Sequence, residues 1–280
     1  MIRVAIPCSE LLARIDEAVS DWLTRAALLK TQNEQAGYHK DADKFWQKIT
    51  HVLVRIQLGK CGYCERPLGS SGDDSTVDHF RPKGRVDAWQ GTGELQDGGG
   101  SSRVGYYLLA YDPRNYVVAC RRCNNRQKKS MFPTRRARQL TTTDEQALAE
   151  EQPYLVNPAD PHEPDPEELI GWDGVIPVPA GITELERERA LVTIDVLGLA
   201  NEDLIRERHL VVFGVWVGHL QTTNGRPDPL AKQMLDRLCS SRSPHAACAR
   251  RFRQLCDEDP DAAREVVDQV MRATSTPSHG

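Results

Sequence analysis

Two Cys-x-x-Cys pairs, Cys61-Gly-Tyr-Cys64 and Cys120-Arg-Arg-Cys123, restrict the folds open to this chain more than any other feature. A Cys-x-x-Cys turn holds two thiolates at the spacing tetrahedral Zn²⁺ requires, and two turns make a closed four-sulfur site. The 55 residues from 65 to 119 exceed the spacer of a compact zinc ribbon. The site must therefore clamp an inserted hairpin, and structural zinc would supply the folding free energy that a small, loop-rich module lacks. The competing readings of the same cysteines are a redox dithiol or a coincidence of spacing.

The chain offers no apolar run long enough for a signal peptide or a membrane span, so the expected compartment is the cytoplasm. Thiols stay reduced there, and paired cysteines point to metal more often than to disulfide. A net charge of −4 over 280 residues conceals a strong asymmetry. Residues 120–138 carry eight basic side chains and no acidic one, whereas residues 139–186 carry twelve acidic side chains and no Lys or Arg. The basic run lies beside the second cysteine pair, where it would attract a polyanion. Two solvated faces of opposite sign are the plainer alternative.

The apolar period predicts one helix over Ser9–Lys30 and a second over Asp41–Leu58, closed by a left-handed cap at Gly59. Together they make an N-terminal helical region, residues 1–59. Residues 60–138 read as the chemical module. Val77–Phe80 and Asn115–Ala119 suit a two-stranded hairpin, the Gly/Ser-rich stretch Gly91–Ser102 a flexible tip, and the run from Cys123 to Ser130 a short surface helix. Tyr106, Tyr107 and Tyr111 are expected to anchor the hairpin in a core. Residues 139–183 are acidic and Pro-rich, and read as a wrapping segment with a small hairpin around Trp172–Val175. Residues 184–280 return to helix: Glu184–Leu197 closed by Gly198, Asn201–Leu220 with Asn201 as N-cap, then segments within 229–240, 243–256 and 261–273. The tail Thr274–Gly280 is expected to be disordered. Cys239, Cys248 and Cys256, with His245 nearby, match no ligand spacing and read as free cysteines on helix faces.

Between the cysteine pairs lies Asp78-His79, and around the second pair lie Asn115 and Asn124. A carboxylate can hold a hard cation, and an imidazole can take a proton from water. Neighbouring side chains on a strand point to opposite faces, so Asp78 and His79 share one site only where the strand bends or ends. Several further segments accompany these residues: Glu65 after Cys64, Phe80-Arg81-Pro82-Lys83, Tyr107-Leu108-Leu109-Ala110-Tyr111-Asp112, Tyr116, Phe132-Pro133, Leu155-Val156-Asn157-Pro158, and the stretch from Thr193-Ile194 through Gly198-Leu199 to Leu204 and Arg208. Over roughly residues 45–215 this set resembles the HNH nuclease subunit of Septu-type antiphage defence systems and its retron-associated relatives.

The resemblance implies a mainly α fold with a small ββα-metal (HNH, or His-Me finger) module stapled by a Cys₄ zinc site. It implies an endonuclease that hydrolyses phosphodiester bonds. His79 would be the general base, Asp78 and Asn124 would hold a catalytic Mg²⁺ or Mn²⁺, and Asn115 would buttress the hairpin loop and orient His79. Cys61, Cys64, Cys120 and Cys123 would be the structural zinc ligands. Arg121, Arg122, Arg126 and Lys128 would contact backbone phosphates, which gives affinity without sequence choice. Many HNH enzymes carry a histidine where this chain has Asn124, and an amide oxygen favours Mg²⁺ over softer metals. An ABC/SMC-type ATPase partner is implied and a membrane is not. DNA is the expected substrate. The alternatives are an RNA- or tRNA-cleaving nuclease and a zinc-stapled nucleic-acid binder without catalysis.

Overall fold

The computed structural model describes residues 1–40, 44–69, 75–223 and 228–275. The described residues are mostly helical, with two small two-stranded antiparallel sheets among them. The helix expected over residues 9–30 is two helices, α1 (Cys8–Ala18) and α2 (Trp22–Ala36). Val19 leaves helical geometry at φ −146°, ψ 84°. The turn that follows carries Trp22 inward, where it is fully buried, stacks on Phe45 at 5.5 Å and meets Tyr116 edge-on at 6.3 Å. Burying an indole in an aromatic cluster outweighs a few continuous helical hydrogen bonds.

The second expected helix is a 3₁₀ segment, Phe45–Ile49, running into α3 (Thr50–Ile56); residues 41–43 lie outside the described residues. Within the 3₁₀ segment Phe45, Trp46 and Ile49 all turn into the core. Gly59, at φ 73°, ends α3 by donating its N–H to the Val54 carbonyl. That sharp stop delivers the chain to Cys61.

The expected hairpin forms as β1 (Ser75–His79) and β2 (Tyr116–Cys120), in register from Ser75 opposite Cys120 to His79 opposite Tyr116. Val117, Val118 and Ala119 are completely buried. The outer edge of β2 would leave polar backbone unpaired in that core. Gln57 meets it: its Nε2 donates to the Val118 carbonyl at 2.7 Å, and its Oε1 accepts from the Val118 N–H at 2.8 Å. One amide side chain thus stands where a third strand would.

The Gly/Ser-rich stretch is tied down, contrary to the flexible tip expected of it. Val86 pairs with Ser102, Gly98 N–H donates to Thr134, and Asp97 forms a buried ion pair with Arg138 at 2.8 Å. Residues 139–183 contain two short helices, α4 (Glu145–Glu150) and α5 (Pro166–Leu169), where the sequence carried few helix signals. The small hairpin is β3 (Ile170–Asp173) with β4 (Ile176–Pro179).

The remaining helices are α6 (Glu184–Val196), α7 (Glu202–Thr223), α8 (Pro229–Leu238), α9 (Ala246–Glu258) and α10 (Pro260–Ser275). A Thr183–Glu186 capping box starts α6, and Gly198 follows it at φ 58°. Asn201 accepts from the Leu204 N–H at the start of α7. Among the described residues the apolar interior forms two large clusters and a small third one of Ile2, Val4, Ala246 and Ala247. One large cluster joins α1–α3, the β1–β2 hairpin and α6; the second joins α7–α10 through residues such as Val212, Leu235, Phe252 and Val267. Cys248 and Cys256 are buried in the second cluster, and burial pushes both thiols up to about 12. They and Cys239 are free cysteines, as expected. Among the described residues no helix is long and apolar enough to cross a membrane. Of the tail expected to be disordered, residues 276–280 lie outside the described residues.

Candidate functional site

The four cysteines of the two pairs converge. Cys61, Cys64, Cys120 and Cys123 are buried, and their Sγ atoms all lie within 4.8 Å of one another. Tetrahedral Zn²⁺ with bonds of about 2.3 Å sets sulfur atoms about 3.8 Å apart. Cys64 and Cys120 already stand 3.8 Å apart. Contacts from Cys123, Cys61 and Cys64 hold the Cys120 thiol far below its ordinary value, while contact with Cys120 foremost pushes Cys64 and Cys123 up. Four thiols that compete for one negative charge suit a dication, which lets all of them ionise. The cluster therefore fits a structural metal such as zinc.

Gly62 makes that packing possible. A Cβ there would meet Val117 Cγ1 at 2.6 Å and Gln57 Nε2 at 3.1 Å, so any side chain would force the first pair off the hairpin. Its N–H donates to the Val118 carbonyl at 2.9 Å, fastening the turn to β2.

The second pair leads into a π-helix, Arg122–Lys128. It lies at the surface as expected of this run, with Asn125 and Arg126 exposed, but its other side turns Cys123 and Lys128 into the interior. Its inner side packs on one face of β1, that of Thr76 and Asp78, since alternate residues of a strand share a face. Asn124 Nδ2 donates to Thr76 Oγ1 at 2.9 Å. Lys128 Nζ donates to Asp78 Oδ1 at 3.2 Å, lies 3.1 Å from Oδ2, and donates to the His79 carbonyl at 3.1 Å. Tyr63, between the first two cysteines, donates its hydroxyl to Asp78 Oδ2 at 2.5 Å. Burial pushes Asp78 up against the opposing pull of Lys128 and Tyr63. The phenol of Tyr63 is itself held well above its ordinary value, first by burial and then by Asp78, and so remains a donor.

His79 occupies the opposite face of β1, at the strand's last residue. Its ring meets Trp46 edge-on at 4.7 Å and Tyr116 at 5.0 Å. Nε2 lies 2.9 Å from the Ala110 carbonyl oxygen. A carbonyl can only accept, so Nε2 carries the proton and Nδ1 keeps its lone pair. Burial, and then the neighbouring Lys83, hold the imidazole well below its ordinary 6.5, so it is neutral at neutral pH. Asn115 fixes the loop around it. Its Oδ1 accepts from the Arg81 N–H at 2.8 Å, and its Nδ2 donates to the carbonyls of Arg81 at 3.0 Å and Leu109 at 3.2 Å. The last of these bonds holds the residue before Ala110, the acceptor for His79.

The structure thus brings Asp78 and Lys128 together, with Asn124 on the same face, and turns the His79 ring away from all three. Of the four residues expected to contact phosphate, Arg121 and Arg126 are exposed. Arg122 is half-buried and ion-paired with Asp203 of α7. Lys128 is fully buried in its pair with Asp78, which corrects its placement on the nucleic-acid surface. A separate cavity of about 630 Å³ is lined by Arg81, Leu109, Asn115, Tyr116, Leu148 and Arg189 among others, but by none of Asp78, His79 and Asn124.

The implied divalent cation fares differently from zinc. Both oxygens of Asp78 already hold donors, and the Asp78–Lys128 pair has no net charge. A Mg²⁺ site needs free oxygen ligands, preferably anionic ones. As folded, Asp78 and Asn124 do not make such a site. Sequence reasoning missed Lys128 in this role; its signal was the four-residue step from Asn124, which puts both on one helix face. It also missed Tyr63, Gln57 and Trp46, whose partners are distant in the chain.

No protein-family model and no solved structure matches this chain. The Septu protein PtuB of Bacillus mycoides (strain KBAB4) is 28% identical to it over 181 residues, which are 64% of this chain and 56% of that protein. The chain therefore spans little more than half the length of that curated relative.

Proposed function

We propose that this protein is an HNH-type endonuclease, the nuclease effector of an antiphage defence system. The observation that carries the reading is His79: a neutral imidazole at the end of β1, its Nε2–H locked on the Ala110 carbonyl and its Nδ1 lone pair free of any hydrogen bond among the described residues. In this role Nδ1 removes a proton from the water that attacks phosphorus, the bond from phosphorus to the 3′ oxygen breaks, that oxygen takes a proton from solvent water to leave as a hydroxyl, and the base returns its own proton to solvent. Asn115 acts as a positioning residue by holding the loop that supplies the Ala110 carbonyl. Arg121 and Arg126 bind backbone phosphates at the exposed side of the π-helix. Similarity to a Septu protein supports the defence role, and the resemblance in sequence adds an ABC/SMC-type ATPase as the partner that restrains or licenses the nuclease. DNA is the first expected substrate and RNA the second.

One observation favours a different reading, that of a zinc-stapled nucleic-acid binder without catalysis: the Asp78 carboxylate is closed off by Lys128 and Tyr63. Plasmid, single-stranded DNA and tRNA incubated with the protein and Mg²⁺ separate the two. The nuclease reading expects cleavage of at least one substrate, abolished in His79→Ala and in the bulkier His79→Gln with zinc content and thermal midpoint checked alongside. Binding without cleavage by the wild type, or unchanged cleavage by folded His79 variants, overturns it.

A further inference from the structure

We propose that Lys128 takes the place of a metal ion at Asp78: its ammonium is the resident counter-cation of that carboxylate, and the protein holds no divalent cation there. An ammonium offers three protons, and Lys128 Nζ has three acceptors around it, Asp78 Oδ1 at 3.2 Å, Asp78 Oδ2 at 3.1 Å and the His79 carbonyl at 3.1 Å. Its hydrogen-bonding capacity is thereby filled. The carboxylate takes a further donor from Tyr63 at 2.5 Å. Both partners are buried, Lys128 completely and Asp78 to within 4%. An ammonium displaced from this pocket would lose every acceptor it has while still inside the protein, where an unpaired charge is strongly disfavoured. A dication brought to Asp78 with the ammonium in place would sit beside a like charge only a few ångströms away, with no surplus negative charge to offset it.

The position also has a use. The ammonium lies against the peptide joining His79 to Phe80, so it fixes the carbonyl of the candidate base without depending on solution metal. Only this use rests on the nuclease reading. The claim about cation binding does not: a protein with no nuclease activity can meet it, and an active nuclease can fail it.

The test is Mn²⁺ binding to the zinc-loaded protein, with free Mn²⁺ read from its electron paramagnetic resonance signal. Mn²⁺ prefers oxygen ligands and leaves the four-thiolate site to zinc. Wild type and the charge-free double variant Asp78→Asn/Lys128→Met are expected to bind Mn²⁺ equally poorly. Lys128→Met alone, which frees an anionic carboxylate beside Asn124, is expected to tighten binding on the order of tenfold or more. One Mn²⁺ per chain in wild type that the double variant loses overturns the proposal. So does a Lys128→Met protein that keeps its zinc and circular dichroism but gains no affinity. If Lys128→Met does not keep its zinc, the comparison of wild type with the double variant decides alone.

Discussion

Replacing Gln57 by Ala should cost this protein about 3 kcal/mol of stability without touching a single cysteine. Gln57 bonds both polar groups of Val118, a residue with no solvent exposure, and its Nε2 also donates to the Lys60 carbonyl at 3.2 Å. In Gln57→Ala the Val118 carbonyl keeps one partner, the Gly62 N–H at 2.9 Å. The Val118 N–H keeps none, and a buried orphan donor costs about 1–3 kcal/mol, with roughly 1 kcal/mol more for the lost bond to Lys60. Urea unfolding followed by tryptophan fluorescence reads the change, because Trp22 and Trp46 sit in the same core. The midpoint should fall with an unchanged slope. Gln57→Glu is a sharper comparison: it retains an acceptor for the Val118 N–H but sets a buried carboxylate against the Val118 carbonyl, so it should be at least as damaging. A loss below about 0.5 kcal/mol in Gln57→Ala, with zinc still bound, would refute the idea that this side chain serves as the third strand.

Metal analysis of freshly purified protein should give one zinc per chain, and Cys61→Ser should lose both the metal and the cooperative unfolding transition; zinc-free protein that unfolds normally would contradict the staple. Acid should weaken the first cysteine turn through Glu65. Burial raises this carboxyl, but the Met1 amine and then Lys60, both within 3.1 Å, overcome it and hold it at about 2, below its ordinary 4.5. A depressed acid stabilises the fold above its unfolded value and loses that contribution as pH falls through the folded one, so about 3 kcal/mol should vanish between roughly pH 5 and pH 2. Urea midpoints across that range should show this loss in wild type and a flatter profile in Glu65→Gln; parallel profiles would show that another group controls acid sensitivity.

The features legible in the sequence are those set by neighbouring residues. Caps at Gly59, Gly198 and Asn201, the β-branched runs of β1 and β2 and the two cysteine turns each need only a few adjacent side chains to declare themselves. The break at Val19 was hidden because it serves Trp22, whose partners Phe45 and Tyr116 come later in the chain. Gln57 looked like one more polar residue near a helix end, since nothing local states that β2 lacks an outer neighbour. Lys128 was hardest to place. In composition it belongs to a basic run, and only the packing of the π-helix on β1 separates it from the exposed Arg121 and Arg126. Strand alternation warned that Asp78 and His79 would diverge, and their different surroundings follow from it.

The first cysteine turn is also wired to distant helices. Lys60 Nζ donates to the Ser243 carbonyl at 2.8 Å, and Arg66 Nε donates to Glu207 at 2.8 Å. Glu207 in turn meets His245 at 3.0 Å, at the entrance to α9. A partner that grips α7 or α9 therefore pulls on the sulfur cluster through short, charged tethers. Mechanical load on the C-terminal helices would reach the four cysteines through Lys60 and Arg66.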